Sequence, residues 1–154
     1  MTRIAVFTDS HGDTEPMMAV IREQKPDMVL HLGDYARDAE ELCRAFPALD
    51  IRYVRGNCDY GSDAPEVLTP VVDRVRIFMT HGHRYQVKFT LYSLAGAASF
   101  SGAQLALFGH THESEFRRVG DVSLFNPGAA GAGGHRWGLV TVEGEKFQCQ
   151  ILEL

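Results

Sequence analysis

Five short apolar runs, residues 4–7, 28–32, 51–54, 75–79 and 105–108, have the length and the bounding turn residues of buried strands. Between them the period changes to that of a helix. Met17, Val20 and Ile21 form one apolar face behind a cap at Asp13 or Thr14, with Pro16 in the first turn and Lys25-Pro26-Asp27 as the stop. Ala39, Leu42, Cys43 and Phe46 repeat at i, i+3, i+4 and i+7 behind Asp38 and Glu41, which have the spacing of a capping box, and Pro47 ends that helix. Leu91, Leu94, Ala95 and Ala98 predict a third helix, closed by Gly102. In the tail, residues 122–125, 139–142 and 147–154 read as strands, the last two joined by a hairpin at Glu143-Gly144-Glu145. The expectation is an α/β chain with parallel βαβ units in front and a more antiparallel sheet behind.

Composition narrows the class. A chain of 154 residues, 45% hydrophobic and 23% charged, suits one domain over residues 1–154, without room for a second domain or a large cap. Only four apolar residues separate Arg3 from Thr8, and no stretch reaches membrane-spanning length, so a soluble cytoplasmic protein without a membrane partner is expected. Cys43, Cys58 and Cys149 are odd in number and lack CxxC spacing, which predicts reduced thiols and no thiolate zinc site. The formal charge of -5 argues against long nucleic acid as a ligand. The glycine-rich segment 128–134 lacks the Gly-Lys-Ser/Thr ending of a P-loop and reads as a flexible loop.

The chemistry lies where each buried run ends. Asp9-x-His11, Gly33-Asp34, Gly56-Asn57, His81-Gly82-His83 and Gly109-His110-x-His112 follow the five runs in turn. Any one of these pairs is common by chance. Five in order are not, because open α/β sheets gather ligand chemistry at the C-terminal ends of their strands. Carboxylate, imidazole and amide oxygen together suit Mn, Fe, Zn, Ni or Co, with Mg also compatible. A carboxylate can bridge two such ions about 3.5–4 Å apart, and water between them ionises near neutral pH, ready for in-line attack on phosphorus. Two divalent ions would also bring the formal charge from -5 to about -1, concentrated at the site.

With Ser10 inside the first motif, Cys58-Asp59 after Asn57, Thr80 before His81, Thr111 between His110 and His112, and Asn126-Pro127-Gly128 beyond, the set resembles the calcineurin-like metallophosphoesterase superfamily in order and spacing. The resemblance is greatest to its small YfcE-like phosphodiesterase branch and covers nearly the whole chain. It implies a four-layer α/β/β/α sandwich of two mixed sheets flanked by helices. It further implies that Asp9, His11 and His112 hold one metal ion and Asn57, His81 and His110 the other, with Asp34 bridging. Asp34, Asn57 and His110 are then the expected catalytic residues, and Asn57, Cys58 and His83 the expected substrate-facing ones. The implied activity is metal-dependent hydrolysis of small phosphate diesters with two divalent ions, manganese foremost, in a homo-oligomer, a dimer or tetramer. Two other readings use the same fold: a phosphomonoesterase or nuclease on the same metals, and a non-catalytic interaction scaffold such as the retromer subunit. Scaffolds of this kind lose ligands, whereas all seven ligand positions are filled here.

One position departs from the superfamily pattern. Many members carry a histidine, able to protonate the leaving alkoxide, where this chain has Cys58. A thiol of reference pKa about 8.5 is a poorer donor at neutral pH. Good leaving groups are therefore expected to be favoured, unless Cys58 is only a small packed side chain. His31, inside an apolar run, is expected to be buried and hydrogen-bonded. His83 faces either the phosphate or solvent, and His135 is expected at the surface. Asp59 is expected to orient the Asn57 loop, Ser10 to make local turn bonds, and Asp13, Glu15, Glu113 and Glu115 to be solvated helix-end or loop residues.

Overall fold

In the computed structural model, which describes residues 1–154, β1 (Thr2–Phe7) leads through α1 (Glu15–Gln24), β2 (Met28–His31) and α2 (Ala36–Ala45) to β3 (Asp50–Tyr53). Two short strands, β4 (Val67–Leu68) and β5 (Val71–Val72), precede β6 (Val75–Thr80), a single 3-10 turn at His83–Tyr85, α3 (Tyr92–Phe100) and β7 (Leu105–Leu107). The chain closes with β8 (Glu115–Val119), β9 (Val122–Asn126), β10 (Arg136–Glu143) and β11 (Lys146–Glu153). One mixed sheet runs β11-β10-β1-β2-β3; the other runs β4-β6-β7-β9-β8, with β5 against β6.

Alternation along the strands builds the layers. In β1, Ile4 and Val6 join Leu30, Ile77, Met79, Leu107 and Phe125 in the core between the sheets. Ala5 and Phe7 point the other way, onto Met17, Val20 and Ile21 of α1 and Leu42 of α2. The second sheet repeats this arrangement, with Phe78, Ala106 and Leu124 covered by Leu94 and Ala98 of α3. The result is the expected α/β/β/α sandwich. No helix is long and apolar enough to cross a membrane.

Four local expectations need correction. The tail does not form a separate antiparallel sheet: β10 pairs antiparallel with β1, and β9 runs parallel to β7. Val140 and Val142 are thereby drawn into the core between the sheets. Residues 115–119, whose Glu115 was expected in a solvated loop, form β8, an edge strand whose Arg117 and Arg118 are exposed, so its sequence shows no buried face. The α2 capping box is absent, because Tyr35 holds the cap position without a side-chain cap bond, while Asp38 is buried in the first turn. Finally, the first half of the glycine-rich segment is not free. Residues 128–131 are buried, and the Ala130 and Gly131 N–H groups donate to the Thr8 and Asp9 carbonyls at 2.8 and 3.0 Å.

Leu107 tests the shared core, since its side chain is fully buried between the two sheets. Leu107→Ala is expected to lower unfolding free energy by about 2–5 kcal/mol in urea titration. Ile151→Ala, on the partly exposed β11, is expected to change it by less than about 1 kcal/mol.

Candidate metal centre

The parallel strands deliver their C-terminal loops to one rim, and backbone hydrogen bonds lock those loops together. Asp9 N–H donates to the Gly33 carbonyl at 2.9 Å, Val54 N–H to His31 at 3.1 Å, and Gly109 N–H to His81 at 2.9 Å. Five rim side chains that carry the candidate chemistry sit on left-handed backbone: Asp9 (φ 54°), His11 (50°), Asp34 (44°), His110 (72°) and His112 (63°). This region is sparsely populated by residues other than glycine, and such concentrated strain persists only where surrounding structure enforces it. The motif glycines serve close approach. A Cβ on Gly109 would strike the Thr8 hydroxyl, and one on Gly56 the Asp34 carboxylate.

Asp9 is the centre of the arrangement and is wholly buried. Its Oδ2 accepts from Thr8 Oγ1 at 2.6 Å and His110 N–H at 3.1 Å. Its Oδ1 faces His112 Nε2 at 3.1 Å, His11 Nε2 at 3.8 Å and His81 Nε2 at 3.9 Å. Asp34 Oδ1 accepts from Cys58 N–H at 2.9 Å, while Oδ2 lies 3.3 Å from His81 Nε2. The donor atoms thus gather into two groups, Asp9/His11/His112 and Asp9/Asp34/His81. Asp9 belongs to both groups, a sharing that the resemblance assigns to Asp34.

His81 supplies the test of whether a cation fits. Its Nδ1 lies 2.9 Å from the Leu32 carbonyl, which can only accept, so Nδ1 carries the proton. The Nε2 lone pair of the neutral ring is then aimed at two carboxylates. His81 Nε2, His11 Nε2 and His83 Nδ1 are all buried without a hydrogen-bond partner. The neutral His81 acceptor and the carboxylate acceptors it faces repel one another unless a positive charge lies between them, and the donor set suits a borderline divalent ion. Burial opposes a charge on His81, but the Asp34 and Asp9 carboxylates outweigh it and raise its pKa. Burial likewise opposes ionisation of Asp34, yet His81 and the Cys58 N–H hold its carboxyl well below the usual range. A proton on His81 therefore stabilises the rim when no metal does.

The remaining candidates divide by position. The His110 ring centroid lies 5.0 Å from that of His81, and His110 has its pKa pushed down to about 4 by desolvation and by the neighbouring His81 and Lys88. His83 faces the cluster, 5.6 Å from His81 between ring centroids, and desolvation followed by His81 lowers its pKa. Asn57 lies at the surface with its amide nitrogen 3.7 Å from Cys58 Sγ. Cys58 is exposed, which removes the packed-side-chain reading, and desolvation followed by Asp34 raises its thiol pKa. His135 is exposed as expected.

A supporting network lies beneath the rim. Gly33 N–H donates to His31 Nδ1 at 3.1 Å, which leaves the proton on Nε2, 2.8 Å from Ser10 Oγ. Ser10 donates onward to Asp38 Oδ2 at 2.7 Å, and the same oxygen accepts from Gly12 N–H at 2.8 Å. This chain ties the Asp9 loop, the Asp34 loop and α2 together. Ser10 is thus a buried bridge rather than a maker of local turn bonds. Asp59 does orient the Asn57 loop: its carboxylate accepts from Gly56 N–H at 2.7 Å, Asp34 N–H at 2.9 Å and Ala36 N–H at 2.8 Å. Asn126 secures the last loop, donating to the Gly109 carbonyl at 3.1 Å and to Thr111 Oγ1 at 3.0 Å. Sequence reading missed Thr8, Asp38 and Asn126 as supports; their signal was polar residues directly at the ends of apolar runs or elements.

A two-sheet sandwich that converges carboxylates and imidazoles on one strand-end rim defines a metal-dependent phosphoesterase. The chain belongs to the calcineurin-like phosphoesterase superfamily, whose domain model matches residues 2–145. It is 31% identical over 129 residues to the probable metallophosphoesterase YsnB of Bacillus subtilis, covering 82% of this chain and 73% of that protein. Identity to the phosphodiesterase YfcE of Escherichia coli K12 is 24% over 155 residues, covering 84% and 79%. Among solved structures, a Streptococcus pneumoniae protein described as a predicted phosphoesterase superposes with TM-score 0.84 at 28% identity, covering 99% of this chain and 89% of that one. Vps29 of Entamoeba histolytica, solved with zinc, has TM-score 0.79 at 17% identity with 98% of both chains covered, a likeness of fold alone.

His31 gives this site a stability signature. Burial drives its pKa from 6.5 to about 4, so between these values the unfolded chain binds the extra proton and falling pH favours unfolding. His31→Leu, which cannot titrate, is expected to be less stable than wild type at pH 7. In urea titrations the wild-type advantage should shrink by about 3 kcal/mol as pH falls from 6.5 to 4.

Proposed function

We propose that the protein hydrolyses small phosphate diesters at a dinuclear centre, with Asp9, His11 and His112 around one divalent ion and Asn57, His81 and His110 around the other. Asp34 would be the ligand shared by both, and Asp9 belongs to both groups of donor atoms. The observation that carries this reading is that the Nε2 atoms of His81 and His11 are buried without a hydrogen-bond partner beside carboxylate oxygens, 3.3 Å from Asp34 and 3.8 Å from Asp9. When bound there, two divalent ions, manganese foremost, neutralise phosphate charge and lower the pKa of water.

The chain's own groups set the geometry. The Leu32 carbonyl fixes the His81 tautomer, Thr8 and the His110 N–H fix Asp9, and the Cys58 N–H fixes one oxygen of Asp34. His83, kept neutral by its lowered pKa, has its ring centroid 5.6 Å from that of His81 and suits a phosphate oxygen. Asn57 and Cys58, both exposed, sit where an entering ester meets the rim. Desolvation, and after it the neighbouring Asp34, raises the Cys58 pKa and makes the thiol a weak proton donor to a departing alkoxide.

With manganese added, bis-p-nitrophenyl phosphate is expected to be hydrolysed faster than p-nitrophenyl phosphate, with about two metal equivalents by elemental analysis. Chelation and Asp34→Ala should each remove at least about 100-fold of the rate. Activity indifferent to chelation would sink the two-metal reading; a monoester preference would move the substrate class. As pH falls, protons are expected to compete with the metal and release it, first at His81, whose pKa is raised against burial by the Asp34 and Asp9 carboxylates. Cys58→His should raise rates selectively for diesters with poor leaving groups. An unchanged leaving-group series would show that proton donation at this position does not limit the enzyme.

A further inference from the structure

Beside the rim lies an open cleft of about 630 Å³ whose walls include His11 and Cys58 at one end and Tyr35, Arg37, Glu40 and Tyr60 beyond. The Tyr35 ring lies 5.2 Å from the His11 ring between centroids, so the cleft begins at the rim itself. The Arg37 guanidinium carbon lies 4.4 Å from the Tyr35 ring centre, and Arg37 enters no ion pair. Tyr60 is 92% exposed, a large ring presented to solvent at the mouth of a cleft that leads to the candidate phosphate site. An uncovered aromatic face and an unpaired planar cation lining one cleft are what a flat aromatic ring needs for stacking and cation–π contact. Glu40, Asp59 and Ser62 add polar atoms to the walls, which a plain hydrocarbon ring would leave unused but a heterocycle with ring nitrogens and amines can engage.

We propose that this cleft is a nucleobase subsite, so that the preferred substrates are phosphodiesters carrying a single nucleoside. The proposal rests on the phosphodiesterase reading and names the organic part of its substrate. The volume falls within the range of about 300–1,000 Å³ typical of small-molecule sites, ample for one nucleoside. Arg37 is the one arginine or lysine in the cleft, and the formal charge of -5 disfavours a longer polyanion. Tyr60 and Arg37 are specificity residues here. They touch the base, not the reacting phosphorus.

Two cyclic diesters with the same five-membered phosphate ring, adenosine 2′,3′-cyclic phosphate and glycerol 1,2-cyclic phosphate, separate the base from the chemistry. In the manganese-loaded protein the adenosine ester is expected to have the lower KM. Tyr60→Ala should raise that KM about tenfold to a hundredfold with kcat within about twofold, leave the glycerol ester unaffected, and be rescued by Tyr60→Phe. Arg37→Ala should act in the same direction. Equal KM values for the two esters, or equal losses on both in Tyr60→Ala, would overturn the subsite. Failure to hydrolyse both cyclic esters and bis-p-nitrophenyl phosphate would instead overturn the phosphodiesterase reading. The subsite is then decided by calorimetric titration with adenosine 5′-monophosphate and ribose 5-phosphate. Tighter binding of the adenosine compound, lost in Tyr60→Ala, supports it, and equal binding overturns it.

Discussion

Everything at the rim follows from the burial of the Asp9 carboxylate. A buried carboxylate is tolerated only when hydrogen bonds or opposite charge compensate for lost hydration. Thr8 and the His110 N–H occupy one oxygen, while the other faces three imidazoles. His112 Nε2 lies within hydrogen-bonding distance of that second oxygen, and a proton on His81 or a divalent cation would compensate it further. In such a geometry protons and any bound metal compete for the same nitrogens.

The constraint extends downward into the fold. β1 alternates between two cores, Ile4 and Val6 toward the second sheet and Ala5 and Phe7 toward the helices, which fixes its register. A one-residue slip would turn both apolar sets to the wrong faces and displace Asp9. Cross-loop hydrogen bonds from their own N–H groups hold the left-handed backbone at Asp9, Asp34 and His110. Stability of the two cores thus supports the strain stored at the rim.

Much of this was legible in the sequence. Strands buried on both faces announce themselves as short apolar runs, and polar ligands directly after them mark the rim, so the sandwich and the candidate site could be read together. What escaped reading depends on partners distant in sequence. β8 is an edge strand whose exposed arginines erase its pattern, and β10 joins the first sheet because β1 needs a neighbour. Asp38 has the local spacing of a cap, but its oxygen is claimed by Ser10 and Gly12, 28 and 26 residues away. Local spacing favoured the cap; tertiary hydrogen bonding decided otherwise.

The network of His31, Ser10 and Asp38 shows why the rim needs more than its ligands. His31 must accept from Gly33 and donate to Ser10, so only its neutral form, in one tautomer, satisfies both neighbours. Protonation would set an N–H against the Gly33 N–H and loosen the turn that presents Asp34. The loops carrying Asp9 and Asp34 are therefore coupled through a buried imidazole that approaches neither carboxylate within hydrogen-bonding distance. Their separation, on which any bridging of two ions depends, is set by this relay from below and by the Asp59 carboxylate from the side.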